Sequence, residues 1–206
     1  MVTDARRRDP LPQAVRIIGG RWKRTRLPVA KLPGLRPTPD RVRETLFNWL
    51  GQDLSGWDCA DLFAGSGALG FEAASRGARS VLLVEQDRAL AAQLEDVRQR
   101  LQAQTVRVQR GDGVAVLAAM APSSLDLVLL DPPFGGGLYQ AALRAAAVVV
   151  RERGFIYLEA PDPWSDAMVA ALGLVVLRHG KAGAVHAHLL RRMPCATEGP
   201  STDPHA

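Results

Sequence analysis

The tetrapeptide Asp131-Pro132-Pro133-Phe134 directly follows the apolar run Leu125 to Leu130. Its two prolines fix the backbone and leave main-chain carbonyls that cannot all be paired internally. A carboxylate and a carbonyl held side by side make a two-acceptor trap for an exocyclic NH2 group, and Phe134 offers a face on which a planar base can stack. Such acceptors draw lone-pair density out of the conjugated ring and onto the amine nitrogen, which then attacks an electrophilic methyl group. The amine proton leaves after the transfer, to water or to Asp131.

A second constellation stands after an earlier apolar run. Residues 61–70 read Asp-Leu-Phe-Ala-Gly-Ser-Gly-Ala-Leu-Gly, a G-x-G-x-x-G at a strand-to-helix turn. Glycines let a backbone approach a ligand closely, and the helix that follows presents unpaired N–H groups. Asp61, Phe63, Gly65, Ser66 and Gly67 are the candidate ligand contacts of this loop. Twenty residues past Gly65, Glu85 ends the next apolar run, where a carboxylate accepts from both hydroxyls of a ribose. Asp112 and Gly113 follow the third run; Asp112 suits an adenine amino group and equally the N-cap of the next helix. A pyrophosphate is poorly served here, because Asp61 puts a carboxylate close to where its phosphates would lie. S-adenosyl-L-methionine, with a sulfonium and an amino group and no phosphate, suits an acidic loop better.

These motifs in succession resemble those of class I S-adenosylmethionine methyltransferases that act on amino groups. With Arg16-Ile-Ile-Gly-Gly20 and the stretch Gly34-Leu-Arg-Pro-Thr-Pro-Asp-Arg-Val-Arg-Glu-Thr-Leu-Phe-Asn48, the chain is similar, over about residues 15–192, to the RsmD family of bacterial 16S rRNA guanine-N2 methyltransferases. That resemblance implies N2-methylguanine as product, at guanine 966 of the small-subunit rRNA, on a protein-bearing subunit or late precursor. It also implies that Thr38, Arg41 and Glu44 lie over the cofactor near its methionine end, residues otherwise read as a helix cap and exposed helix charges. The glycine run Gly135-Gly136-Gly137 departs from the pattern, since a basic residue there would help to grip RNA. Without the resemblance, adenine N6 in DNA and a glutamine amide in protein remain open as acceptors. An NAD-dependent dehydrogenase is disfavoured by Asp61 and by the lack of an evident hydride-transfer acid. A non-catalytic RNA-binding module would not need Asp131 and Glu85 together.

The elements that must position these residues alternate apolar runs of strand length with helical segments, the pattern of a doubly wound sheet. Strands are expected near 59–64, 80–85, 105–110, 125–131 and 154–159, with helices near 68–76, 88–102, 113–120, 138–151 and 164–171. Leu174 to Arg178 and Val185 to Leu190, joined only by Gly180 to Ala184, must pair as an antiparallel hairpin. The expected fold is therefore α/β: a Rossmann-like, mostly parallel seven-stranded sheet with an antiparallel last strand, preceded by a small β-hairpin. That first hairpin, Val15 to Ile18 and Arg21 to Val29 around a tight Gly19-Gly20 turn, carries Arg16, Arg21, Trp22, Lys23, Arg24 and Arg26, a basic face with one aromatic for RNA. Thr38-Pro39-Asp40 then opens a helix to about Leu50. Residues 1–14 and 194–206 read as disordered tails, 15–50 as a basic hairpin and helix, and 51–193 as the methyltransferase domain.

Composition limits the remaining classes. The 206 residues are 47% hydrophobic and 23% charged, which suits one globular unit and excludes whole-chain disorder. Residues 1–45 carry a net +8 and the remainder a net −3, an arm suited to a polyanion on a mildly acidic body. Apolar runs are too short for a membrane helix and no signal peptide is evident, so a cytoplasmic protein is expected. Cys59 and Cys195 form neither a metal knuckle nor a disulfide framework. His186 and His188 alternate on one strand face with no third ligand placed near them in sequence, so no metal site is expected. No surplus apolar surface argues for an oligomer, and a monomer is expected.

Overall fold

A computed structural model describes residues 14–30, 38–133 and 137–193. Phe134, Gly135 and Gly136, Cys195, and both expected tails except Ala14 lie outside the described residues, with the expectations placed on them. The chain begins with strands β1 (Ala14–Arg16) and β2 (Arg26–Pro28) and helix α1 (Asp40–Trp49). Strands β3 (Asp58–Asp61), β4 (Ser80–Glu85), β5 (Val106–Arg110), β6 (Leu125–Leu130) and β7 (Val150–Ala160) then alternate with helices α2 (Ala68–Ser75), α3 (Arg88–Arg100), α4 (Gly113–Ala118) and α5 (Leu138–Val149). Helix α6 (Asp166–Ala170) and the hairpin β8 (Leu174–Ala182) and β9 (Val185–Arg192) complete it.

The main sheet has seven strands in the order β5-β4-β3-β6-β7-β9-β8. All pairs from β5 to β7 are parallel, and β9 runs antiparallel to both β7 and β8. The expected fold class holds, antiparallel final strand included. Strand order reverses between β3 and β6, and the carboxyl ends there open the crevice in which ligands of such sheets bind. The expected motifs all lie at strand ends: Asp61 and Glu85 are the last residues of β3 and β4, Asp112 comes just after β5 and Asp131 directly after β6.

Because side chains alternate across a strand, β6 sends Leu127 and Leu129 to one core and Val128 and Leu130 to the other. The first core includes Leu46 and Phe47 of α1, Phe71 of α2, Tyr157 of β7, and Val15, Ile17 and Leu27 of the N-terminal hairpin. The hairpin is thereby packed onto the same side of the sheet as the glycine loop.

The tight Gly19-Gly20 turn is not formed. Ile17 N donates to the Thr25 carbonyl (2.9 Å) and Arg24 N to the Ile17 carbonyl (2.7 Å), so residues 18–24 make a wide connection. The glycines serve an approach to the end of α2 instead. Arg21 N donates to the Ser75 carbonyl (2.7 Å), Trp22 N to Ser75 Oγ (2.9 Å), and Ser75 Oγ to the Gly19 carbonyl (2.6 Å). A Cβ on Gly20, whose φ is +70°, would lie 1.8 Å from the Ser75 carbonyl oxygen. Gly20→Ala is expected to cost about 1–3 kcal/mol in urea unfolding, from strain and overpacking. Gly51→Ala, at φ +89° with no neighbouring atom within 4 Å, should cost less. Equal losses at both sites would contradict the docked turn.

Strand β7 starts at Val150, inside the stretch expected to be helical. Arg151 is expected at the end of that helix, with Glu152 and Arg153 between helix and strand, yet pairing shifts from Leu125↔Val150 to Leu127↔Phe155 around them. The extra residues form a bulge in which Arg151 ion-pairs with Asp126 and with Asp58 (3.1 Å), while Glu152 and Arg153 are exposed. The β8–β9 strands also run further than expected, leaving Gly183 (φ +62°) and Ala184 as the turn.

Candidate active site

Asp61 closes β3 with its side chain fully buried. Its Oδ2 accepts from Gly70 N (3.0 Å), while Oδ1 is buried without a hydrogen-bond partner. Burial pushes this carboxyl up to about 7, against the Gly70 N–H and the nearby Phe63 N–H, which lower it without a hydrogen bond forming to Oδ1. An unpaired acceptor in so dry a place is costly unless a ligand donor completes it. The turn after it is tight: Gly67 is left-handed (φ +77°) and starts α2 with no side-chain cap. Phe63 is half-buried, whereas Gly65, Ser66 and Gly67 are buried.

Glu85 is half-buried and holds the loop, accepting from Gly65 N (Oε2, 2.9 Å) and Asp87 N (Oε1, 2.9 Å). Each oxygen keeps a lone pair for an incoming hydroxyl. Asp112 is exposed and caps α4, accepting from Ala115 N (2.8 Å). Gly113 has a packing reason as well, since a Cβ there would lie 2.1 Å from the Leu62 carbonyl oxygen.

Asp131 follows β6, with Pro132 buried and Pro133 exposed beside it. Thr38 Oγ1 lies 3.5 Å from Asp131 Oδ2, bringing the turn before α1 across to the Asp-Pro-Pro motif. Burial, then the charges of Glu159 and Asp61, raise the Asp131 carboxyl well above its ordinary range, and the Thr38 hydroxyl opposes them. Phe134, the expected stacking face, lies outside the described residues. Arg41 and Glu44 are exposed on α1, and neither side chain has a hydrogen bond or ion pair among the described residues.

Four residues important to this arrangement escape the sequence reading. Arg43 is wholly buried: Nε reaches the Thr38 carbonyl (3.3 Å), Nη1 Glu72 (3.4 Å), and Nη2 both the Arg16 carbonyl (2.8 Å) and Asp40 (2.6 Å). Glu72, also fully buried, accepts from Ile18 N (2.8 Å), Gly19 N (2.7 Å) and Arg76 Nε (2.9 Å). The hairpin, the Thr38 turn and α2 therefore share one ionic knot. Glu159, at the end of β7, accepts from Tyr157 Oη (2.9 Å), and both are buried. A charge inside an apolar segment, as in Ala-Leu-Gly-Phe-Glu72 or Phe-Ile-Tyr157-Leu-Glu159, was the available signal. Arg43 offered none, because it sits among exposed helix charges.

On the hairpin, Lys23, Arg24 and Arg26 are exposed, as is Arg21, whose guanidinium lies 6.0 Å from the centre of the half-buried Trp22 ring. Arg16 is exposed too but ion-paired to Asp40 (2.6 Å). The histidines form a separate stack. Ring centres of His179 lie 5.1 Å from His186 and 4.7 Å from His188. His188 Nε2 accepts from Trp164 N (2.9 Å), so it is a structural acceptor, and burial lowers its pKa to about 4. Among the described residues no cluster of histidine, cysteine, aspartate or glutamate has the makings of a metal site.

Comparison with known proteins agrees with this geometry. The family model described as "Conserved hypothetical protein 95" matches residues 15–191. The chain is 47% identical over 129 residues to "Ribosomal RNA small subunit methyltransferase D" of Escherichia coli strain K12, covering 63% of this chain and 65% of that protein. It is 37% identical over 177 residues to the protein of the same name from Haemophilus influenzae, covering 80% of this chain and 92% of the relative. Among solved structures, the yhhF protein of Escherichia coli superposes with a TM-score of 0.75 at 36% identity, over 87% of this chain and 98% of that one. The chain belongs to the family described as "Conserved hypothetical protein 95", the RsmD family of class I methyltransferase fold.

Proposed function

We propose that this protein transfers a methyl group from S-adenosyl-L-methionine to the N2 amine of a guanine in 16S rRNA, acting as a cytoplasmic monomer on the small ribosomal subunit. The observation that carries the reading is the meeting of two acidic devices at the sheet's switch point. One is Asp131 beside Thr38, and the other is Asp61 with its unpaired Oδ1. The names of the Escherichia coli and Haemophilus influenzae relatives support rRNA as the acceptor.

The residues present fit the cofactor. Asp61 Oδ1 would accept from its amino group, Glu85 would take the ribose hydroxyls, and Asp112 would accept from the adenine amine. Thr38, Arg41 and Glu44 would border its methionine end. The bound cofactor supplies an electrophilic methyl on a positively charged sulfur. Asp131 and the Pro132 carbonyl accept the two amine hydrogens of the base, hold the nitrogen in line and concentrate its lone pair, a matter of orientation and electrostatics. Phe134 would stack on the base, which must leave its helix if the guanine is paired. Arg16, Arg21, Trp22, Lys23, Arg24 and Arg26 would contact the RNA, chiefly its phosphates.

Transfer of labelled methyl to small subunits lacking the modification tests this, beside deproteinised 16S rRNA, duplex DNA and a protein fraction. Label recovered as N2-methylguanine from the subunits is the expected result. Label confined to DNA or to protein would overturn the acceptor assignment.

A further inference from the structure

Glu159 is the buried acid that this chemistry leaves unused. It follows Leu158, which pairs with Leu130, and Asp131 follows Leu130. The two acids therefore continue adjacent parallel strands and leave the sheet on the same side. Asp61, paired with Leu129, stands on that side two residues earlier along the strands. Glu159 is 3% exposed and Asp61 1%. The groups that face the pair are Asp61 of β3, Tyr157 of β7, Tyr139 of α5, Thr38 before α1, and Arg43 of α1. Arg43, the one cation among these, is already engaged by Asp40 and Glu72.

Two neighbouring carboxyl groups, Glu159 buried and Asp131 half-buried at the edge of the sheet, with Asp61 behind them, ionise together only at high cost. Burial raises both acids, and for Asp131 the charges of Glu159 and Asp61 add to it. We propose that Asp131 and Glu159 share one proton in the cofactor-free protein and release it to water when a sulfonium arrives beside Asp131, so that the pair selects the charged methyl donor over its neutral thioether product. The inference rests on S-adenosylmethionine being the cofactor. An amine held by Asp131 attacks the methyl carbon on that sulfonium, so the positive charge is delivered next to the pair, where it favours the ionised form. In the transfer the N–C bond forms, the C–S bond breaks and sulfur keeps its electron pair. The positive charge passes to nitrogen, and the amine proton returns to the pair. Reprotonated, the pair no longer holds the neutral product by charge.

Isothermal titration calorimetry with S-adenosylmethionine and S-adenosylhomocysteine, in buffers of different ionisation enthalpy from about pH 6 to about pH 8, tests this directly. Both ligands carry the same ammonium, so any proton that Asp61 gives up is common to both and cancels in the comparison. Glu159 and Asp131 respond only to the sulfonium. S-adenosylmethionine is expected to release up to about one proton more than the homocysteine. The ratio of their affinities should rise by up to about tenfold per pH unit until the pair ionises unaided. In Glu159→Gln the ratio should lose most of this pH dependence, because Asp131 is relieved of its neighbour's charge and ionises before the ligand arrives. Equal proton release by both ligands in the wild-type protein would overturn the proposal while leaving the cofactor reading intact, whether or not the variant folds. Failure of both ligands to bind would remove the cofactor reading itself.

Discussion

Replacing Asp131 by alanine is expected to lower kcat for methyl transfer by about a thousandfold, with cofactor affinity changed less than about tenfold. The loss follows from the proposed role of the carboxylate: accepting from the amine most strongly as positive charge develops on nitrogen, it would stabilise the transition state more than the ground state. The same substitution should leave the thermal midpoint unchanged or raise it. Asp131 is half-buried between Glu159 and Asp61 on the neighbouring strands, and deleting one of three crowded acids relieves repulsion. A merely structural Asp131 would give the opposite pattern, with a lowered midpoint and activity lost in proportion to unfolding. Single-turnover rates on subunits, fluorescence binding of the cofactor and a thermal melt on one preparation decide between the two.

Arg43→Ala should destabilise the fold by about 3–5 kcal/mol in urea unfolding, the range for breaking a buried ion pair from one side. Arg43 and Glu72 have no exposed side-chain surface, so solvent does not screen the loss. Arg76 would remain as a partner for Glu72 and Arg16 for Asp40, but the Thr38 and Arg16 carbonyls would lose theirs. The damage should therefore spread outward from the knot. Hydrogen exchange should accelerate at Ile18 N and Gly19 N, which donate to Glu72. RNA methylation should suffer beyond the loss of folded protein, because the basic hairpin and the Thr38 hydroxyl beside Asp131 are both tethered through Arg43. A cost under about 1 kcal/mol, or exchange confined to α1, would show that the knot does not join these elements.

Much of this site was legible in the chain because its motifs are local. Asp61 to Gly70, Glu85, Asp112 and Asp131 each lie at or just after a strand end, and a parallel sheet brings successive carboxyl ends to one edge whatever fills its core. The helices were legible for the same reason. Leu90, Leu94 and Val97 repeat on one face of α3, and Asp87 caps it by accepting from Ala89 N (2.8 Å) and Leu90 N (2.9 Å). The paired glycines misled because their reason is distant: Gly19 and Gly20 are needed by Ser75 and Arg76, more than fifty residues on, and not by a turn of their own. Arg151 to Arg153 misled likewise, since Asp126 and Asp58 lie on other strands.

Residue order thus determined the sheet and its acidic edge, both of which follow from short-range pattern and from the handedness of strand-helix-strand connections. Tertiary structure alone decided which charges are buried and with whom. It sent Arg43 inward while Arg41 and Glu44 stayed in water, and it set Glu159 next to Asp131 across a strand pair from 28 residues away in the chain. The physical reason is that desolvation and pairing depend on contacts between distant segments, and an acid or a guanidinium reads the same in sequence whether it meets water or another charge.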